Sequence, residues 1–267
     1  MPSSDHKALV RQEFTQQAHA YAANPSISDH SRLIRLVQAV QAAHPKPNAR
    51  VLDVATGPGY IALTFAEAGC EVIGIDLTEA PLSIAEQLRQ ARGLTNVRFQ
   101  LADAEHLPFA EQEFDIVVSR FALHHCEDPQ RVLTEMARVC RVQGMIVIED
   151  LVVSEHPARA AYQNRLEQLR DPSHTRALSI SEFLALFTTS KLEVEQLYTD
   201  HLTPSVEQWL TNAHTPHDQA KQVQAMIQQD ELHDLSGTHP FRQNEAVYFH
   251  QLTAAFITRK LAKTPLE

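Results

Sequence analysis

The segment Val51-Leu52-Asp53-Val54-Ala55-Thr56-Gly57-Pro58-Gly59-Tyr60 restricts how this 267-residue chain can fold more than any other. A short apolar run passes through two glycines into a helical pattern that starts at Tyr60. Such a strand–turn–helix step lets the backbone approach a ligand closely, because glycine has no Cβ to hold the ligand off. Six of the seven glycines (Gly57, Gly59, Gly69, Gly74, Gly93, Gly144) fall between residues 51 and 150, and the seventh is Gly237. Tight backbone geometry is therefore concentrated in one segment. The rest of the chain reads as helix punctuated by proline.

Inside that segment, short apolar runs alternate with helical periodicity. Strands are expected at 51–54, 71–75, 97–100, 114–119 and 145–149, and helices at 60–68, 80–91 and 129–140. This alternation predicts an α/β fold with parallel strands, right-handed crossovers and helices on both faces. Residues 5–44 read as helical with a break at Asn24-Pro25. Residues 155–243 read as mostly helical, with a strand at 192–198 and a capping box at Ser179-Ile180-Ser181-Glu182. A long final strand rich in Val, Tyr, Phe, Ile and Thr is expected over 246–261.

Gly57-x-Gly59-x-x-Ala62, with Asp76 about 20 residues further on, fits the phosphate-binding loop of a dinucleotide site. Asp53 points elsewhere. A carboxylate just ahead of the glycines repels a pyrophosphate and attracts an ammonium group. Asp103 follows the third strand, so all three acids stand at the carboxyl ends of strands, where open α/β sheets bind ligands. Asp76 suits a ribose diol and Asp103 the exocyclic amine of adenine. An adenosyl amino acid fits this order better than a dinucleotide does.

Five segments carry a family resemblance: Val51 to Gly59, Val72-Ile73-Gly74-Ile75-Asp76, Leu101-Ala102-Asp103-Ala104-Glu105-His106-Leu107-Pro108-Phe109, Phe114-Asp115-Ile116-Val117-Val118-Ser119, and Arg138-Val139-Cys140-Arg141-Val142-Gln143-Gly144. Together, residues 49–150 resemble the class I S-adenosylmethionine-dependent methyltransferases of the ubiquinone/menaquinone-biosynthesis C-methyltransferase type (methyltransferase type 11). Ala55 and Pro58 stand where many members carry glycine. The resemblance implies a Rossmann-like seven-stranded sheet in the order 3-2-1-4-5-7-6, with strand 7 antiparallel. It implies S-adenosyl-L-methionine as cofactor and S-adenosyl-L-homocysteine as product. It also implies cofactor contacts at Asp53, Ala55, Gly57, Gly59, Asp76, Leu77, Asp103 and Ala104, with Ser119 and Arg120 toward the methionyl end. Phe14-Thr15-Gln16-Gln17-Ala18-His19-Ala20-Tyr21 looks like the family's lid helix, and Tyr21 is the ring to cover a sulfonium, since ring faces attract cations. The expected division is a helical lid over 1–48 and a methyltransferase domain over 49–267, with cap insertions at 151–180 and 202–243.

The remaining features bound the chemistry. A net charge of -10 without a basic stripe tells against nucleic acid. So does Ser119-Arg120-Phe121-Ala122, where an Asn-Pro-Pro-Tyr-like tetrad would follow the fourth strand. No apolar run approaches the ~20 residues of a membrane span, and residues 1–14 hold no apolar core of a signal peptide. Cys70, Cys126 and Cys140 are widely spaced without C-x-x-C, which reads as reduced thiols in a cytoplasmic protein. His124-His125-Cys126 lacks the spacing of a tetrahedral site, so no metal is expected. His124, His125 and His174 are candidate general bases, the last beside Asp171 in a lid segment. The expected activity is methyl transfer to a small organic acceptor through a C, O or N nucleophile, possible acceptors including quinone-like and phenolic molecules, by a monomer or homodimer. An NAD-dependent dehydrogenase and a cofactor-binding protein without turnover stay open as alternatives.

Overall fold

The computed structural model describes residues 4–262. Residues 1–3 and 263–267, the outermost parts of the expected 1–48 and 49–267 segments, lie outside the described residues. The chain opens with α1 (Ser4–Ala23), the single-turn α2 (Pro25–Ser28) and α3 (His30–Ala43). Then come β1 (Arg50–Val54), α4 (Tyr60–Glu67), β2 (Glu71–Asp76), α5 (Glu79–Ala91), β3 (Val97–Leu101), β4 (Phe114–Arg120), α6 (Pro129–Val139) and β5 (Cys140–Val153). The last part holds α7 (Pro157–Arg170), β6 (Leu178–Ser179), α8 (Ile180–Thr189), β7 (Leu192–Leu202), α9 (Val206–Asn212), α10 (His217–His233), a hairpin of β8 (Phe241–Gln243) and β9 (Ala246–Tyr248), and β10 (Gln251–Lys260).

The main sheet runs β3-β2-β1-β4-β5-β10-β7, with the short β6 added against β5. The strands from β3 to β5 are parallel, and β10 is antiparallel to both of its neighbours. With β10 as seventh and β7 as sixth strand, this is the expected order. All seven residues of β4 are buried because both faces of the sheet are covered. One face packs α3 and α4 through Val37, Val40, Leu63 and Phe65; the other packs α6 and α8 through Leu133, Met136, Phe183 and Phe187. α7, α9 and α10 form a cap with its own small core around Leu166, Trp209, Val223 and Phe249. Among the described residues, no helix is long and apolar enough to cross a membrane.

Three boundaries differ from expectation, each for a physical reason. β5 is much longer than 145–149, because Glu149 and Asp150 are buried inside it with partners rather than ending it. β7 extends to Leu202 because it pairs with β10 along its whole length. The expected strand 246–261 is split. Tyr248 pairs with Phe241 in the hairpin, Phe249 packs on Trp209 in the cap, and only β10 enters the sheet. The capping box at Ser179 forms, with Glu182 Oε2 accepting from the Ser179 amide at 2.8 Å.

Candidate functional site

The carboxyl ends of β1 to β5 open into three adjoining spaces. The first is a cleft of about 830 Å³ walled by Gly57, Asp76, Leu77, Asp103 and Ala104, with α1 across its top. A smaller space of about 310 Å³ lies between Asp53, the Thr56–Pro58 turn and Arg120. A third, of about 700 Å³, lies beneath the cap and is walled by Phe14, His124, Arg170, Trp209 and Gln251. The Tyr21 ring borders all three. Its Cε1 lies 3.7 Å from where a Cβ on Gly57 would be, and burial pushes its hydroxyl up to about 12.

The turn after β1 is built on left-handed backbone. Ala55 adopts φ 57° and Gly57 φ 52°. Gly59 caps α4 at φ 80°, and a Cβ there would stand 2.8 Å from the Phe99 ring and 2.9 Å from Ala85. Gly59 thus sets the packing of the turn, while Ala55 and Gly57 face the ligand spaces.

Each acid is held differently. Asp53 is fully buried. Burial raises its carboxyl to about 7, and the Thr56 hydroxyl that donates to Oδ2 offsets only part of this. Its Oδ1 has no hydrogen-bond partner among the described residues. Asp76 accepts from the amides of Gly57 and Thr78, each at 2.9 Å, yet burial still lifts it to about 6. Burial also acts on Asp103, but Lys7 Nζ at 2.7 Å and the Glu105 amide hold its carboxyl below the usual value. Lys7 reaches Glu105 as well, so α1 is tied to the rim of the cleft at Asp103. At its other end, α1 is tied to the turn by the Tyr60 hydroxyl, which donates to Ala22 O at 2.7 Å.

Ser119, expected toward the methionyl end, is buried near the end of β4 and is not on the wall of any of the three spaces; its hydroxyl has no hydrogen-bond partner among the described residues. Arg120 borders the small space together with Asp53. Its Nη2 is buried and, like Asp53 Oδ1, has no hydrogen-bond partner among the described residues. The residues that line this small space thus include a carboxylate oxygen and a guanidinium nitrogen without a hydrogen-bond partner among the described residues. A zwitterionic amino acid, with its ammonium toward Asp53 and its carboxylate toward Arg120, satisfies both. The residues present thus fit an adenosyl amino acid.

The three histidines cluster, with ring centroids 4.2 Å apart for His124 and His125 and 5.4 Å for His124 and His174. Their environments separate their roles. His124 Nδ1 donates to Asp150, and the amides of Leu123 and Leu151 fix that carboxylate at 2.8 and 2.7 Å. Burial lowers the His124 imidazole, but Asp150 outweighs it and leaves the pKa above the ordinary value. His125 donates from Nδ1 to Ser173 O at 3.1 Å; burial and the neighbouring His124 push it down to about 4. It stands where the cleft and the cap space meet. His174 is not on the wall of any of the three spaces. Its Nε2 donates to Asn164 Oδ1 at 2.9 Å, and burial and the other two histidines press its pKa far down. Asp171 accepts from Ser173 instead of orienting His174. The aspartate–histidine pair of this site is Asp150 with His124.

Sequence reasoning missed Asp150. The available signal was two acids at the end of the most apolar strand, where a charge must be paired. Among the described residues, the one group of three metal-type side chains with ligand atoms within 4.8 Å is Asp103, Glu105 and His106, and Lys7 pairs with two of them.

Residues 45–233 match the methyltransferase-domain family. The methyltransferase YcgJ of Bacillus subtilis is 36% identical over 184 residues, which cover 69% of this chain and 73% of that one. Its crystal structure superposes with a TM-score of 0.80 at 30% identity, over 88% of this chain and all of that chain. A demethylmenaquinone methyltransferase of Thermus thermophilus is 41% identical over 113 residues, 42% of this chain and 51% of that one. A malonyl-[acyl-carrier protein] O-methyltransferase of Hamiltonella defensa is 24% identical over 261 residues, 96% of each chain.

Proposed function

This chain belongs to the class I S-adenosylmethionine-dependent methyltransferases of the ubiquinone/menaquinone type, and on that premise we propose that it methylates a small organic acceptor carrying an ionisable hydroxyl, a phenol or an enol. The cofactor supplies an electrophilic methyl group on a sulfonium centre. The chain's own part is to hold that cofactor, orient the acceptor, exclude water and take up a proton.

Asp76 and Asp103 hold the nucleoside end, Asp53 and Arg120 the amino-acid end, and Tyr21 covers the centre. α1 serves as the lid, and α7, α9 and α10 form the cap that encloses the acceptor. Support for an acceptor with an acidic hydroxyl comes from one observation: a histidine oriented by a buried aspartate on the wall of the cap space. With Nδ1 committed to Asp150, the Nε2 lone pair of His124 accepts the hydroxyl proton, and Asp150 stabilises the imidazolium that forms. A phenolate or enolate nucleophile results, reacting at oxygen or at the adjacent carbon. The demethylmenaquinone named for one relative fits this class through its hydroquinone form, which carries phenolic hydroxyls, whereas the malonyl group named for another is an acid and lies outside it.

The test is a screen of phenolic, enolic and amine acceptors with the wild-type protein and His124→Gln. Methylation of hydroxylated acceptors, lost in the variant while S-adenosylhomocysteine binding is kept, is the expected result. Methylation of amines alone, or an unchanged rate in His124→Gln, refutes the base assignment.

A further inference from the structure

The three guanidinium nitrogens of Arg120 have different surroundings. Nε donates to Glu149 Oε2 at 2.7 Å, Nη1 donates to Ile27 O at 2.9 Å, and Nη2 is left without a hydrogen-bond partner among the described residues. The Phe121 ring lies 4.5 Å from the guanidinium carbon. Glu149 stands directly across the β4–β5 ladder from Arg120. Its second oxygen lies 3.4 Å from Arg32 Nη2, and Arg32 is itself held by Thr253 Oγ1 at 3.1 Å and Asp200 at 3.5 Å.

We propose that Glu149 is a positioning residue that fixes the Arg120 guanidinium with Nη2 directed at the α-carboxylate of the cofactor, and that Arg32 balances Glu149 from the far side. This rests on the reading of the small space as the methionyl site. An arginine fork is planar and rigid, so two anchored nitrogens dictate where the third points. Glu149 alone would also draw off the positive charge of Arg120. Arg32 on the opposite oxygen restores it, and the series Asp53, Arg120, Glu149, Arg32 alternates in sign, which limits the cost of burying each charge.

The test compares two ligands by calorimetric titration. S-adenosylhomocysteine carries the amino-acid end; 5′-methylthioadenosine keeps the nucleoside and thioether and lacks it. Glu149→Gln is expected to weaken S-adenosylhomocysteine at least about tenfold and to leave 5′-methylthioadenosine within about twofold. Arg32→Gln is expected to give a smaller loss with the same selectivity, and it decides the question if Glu149→Gln does not fold. Unchanged or tighter S-adenosylhomocysteine binding, or equal loss of both ligands, overturns the proposal. Wild-type protein that binds 5′-methylthioadenosine but not S-adenosylhomocysteine overturns the methionyl-site reading first, and this inference with it.

Discussion

The raised carboxyl of Asp53, in its proposed role, predicts a pH dependence of cofactor affinity that can be worked out. Burial raises its carboxyl to about 7, and in the proposed complex the cofactor's ammonium meets the ionised form. From pH 7 to pH 5.5, the ionised fraction of such a group falls from about one half to about one in thirty, so S-adenosylhomocysteine should bind about 16-fold more weakly. Asp76, at about 6, adds a factor of at most about four over the same range. Asp53→Asn removes the first factor. Binding at pH 7 should weaken by about 10- to 100-fold for loss of a charged hydrogen bond, and the remaining pH dependence should not exceed about fourfold. Titration calorimetry at pH 5.5, 6, 6.5 and 7 reads this directly. The same carboxyl has a consequence for the ligand-free protein. Its folded-state value lies above the unfolded one, so its contribution to stability is intact below about 4 and is lost as pH rises through about 7. At pH 8 the cost is about 4 kcal/mol, and Asp53→Asn should raise the thermal midpoint there but not at pH 4. A wild-type affinity that changes less than about threefold between pH 5.5 and 7, or an Asp53→Asn variant with the wild-type slope, refutes the reasoning.

Other outcomes follow from the same geometry. Methyl transfer needs neutral His124, whose pKa stands above the ordinary value because of Asp150, so the rate should rise with pH through that raised value; in Asp150→Asn the rise should move to lower pH, with turnover reduced about 10²- to 10⁴-fold and S-adenosylhomocysteine affinity nearly unchanged. Asp76→Asn should weaken S-adenosylhomocysteine and 5′-methylthioadenosine alike, whereas Asp53→Asn should spare the second ligand; competition binding separates the two. Gly59→Ala forces alanine to φ 80° against Phe99 and Ala85 and should cost about 2–4 kcal/mol, seen as a lower melting temperature in every buffer. His174→Ala should lower stability through Asn164 while leaving the turnover of folded protein near wild type, by thermal melting and initial rates.

Much of the platform could be read from the chain, because local patterns dictate it. The alternation of apolar runs and helical periods gave the parallel strands, and the spacing of Asp53, Gly57, Asp76 and Asp103 put those residues at the strand ends. What escaped reading depends on contacts between distant segments. Asp150 and His124 are 26 residues apart, so the apolar strand could show that Asp150 needs a partner but not that the partner is His124. Lys7 meets Asp103 across 96 residues, and Arg120 meets Ile27 across 93. The pairing of Asp171 with His174, by contrast, looked natural from proximity in sequence. The backbone turn at Pro172 gives Asp171 to Ser173, and His174 goes to Asn164 instead.

The cap has a core of its own. Leu166, Trp209, Val223 and Phe249 share no member with the two clusters that flank the sheet, yet Trp209 is also a wall of the space beneath the cap. On the proposed reading, substitutions in that small core would alter the space that receives the acceptor more than the turn after β1 and the acids beside it, none of which belongs to that core. On the same reading, that division leaves the acceptor side of the molecule open to change while the side that holds the cofactor is kept.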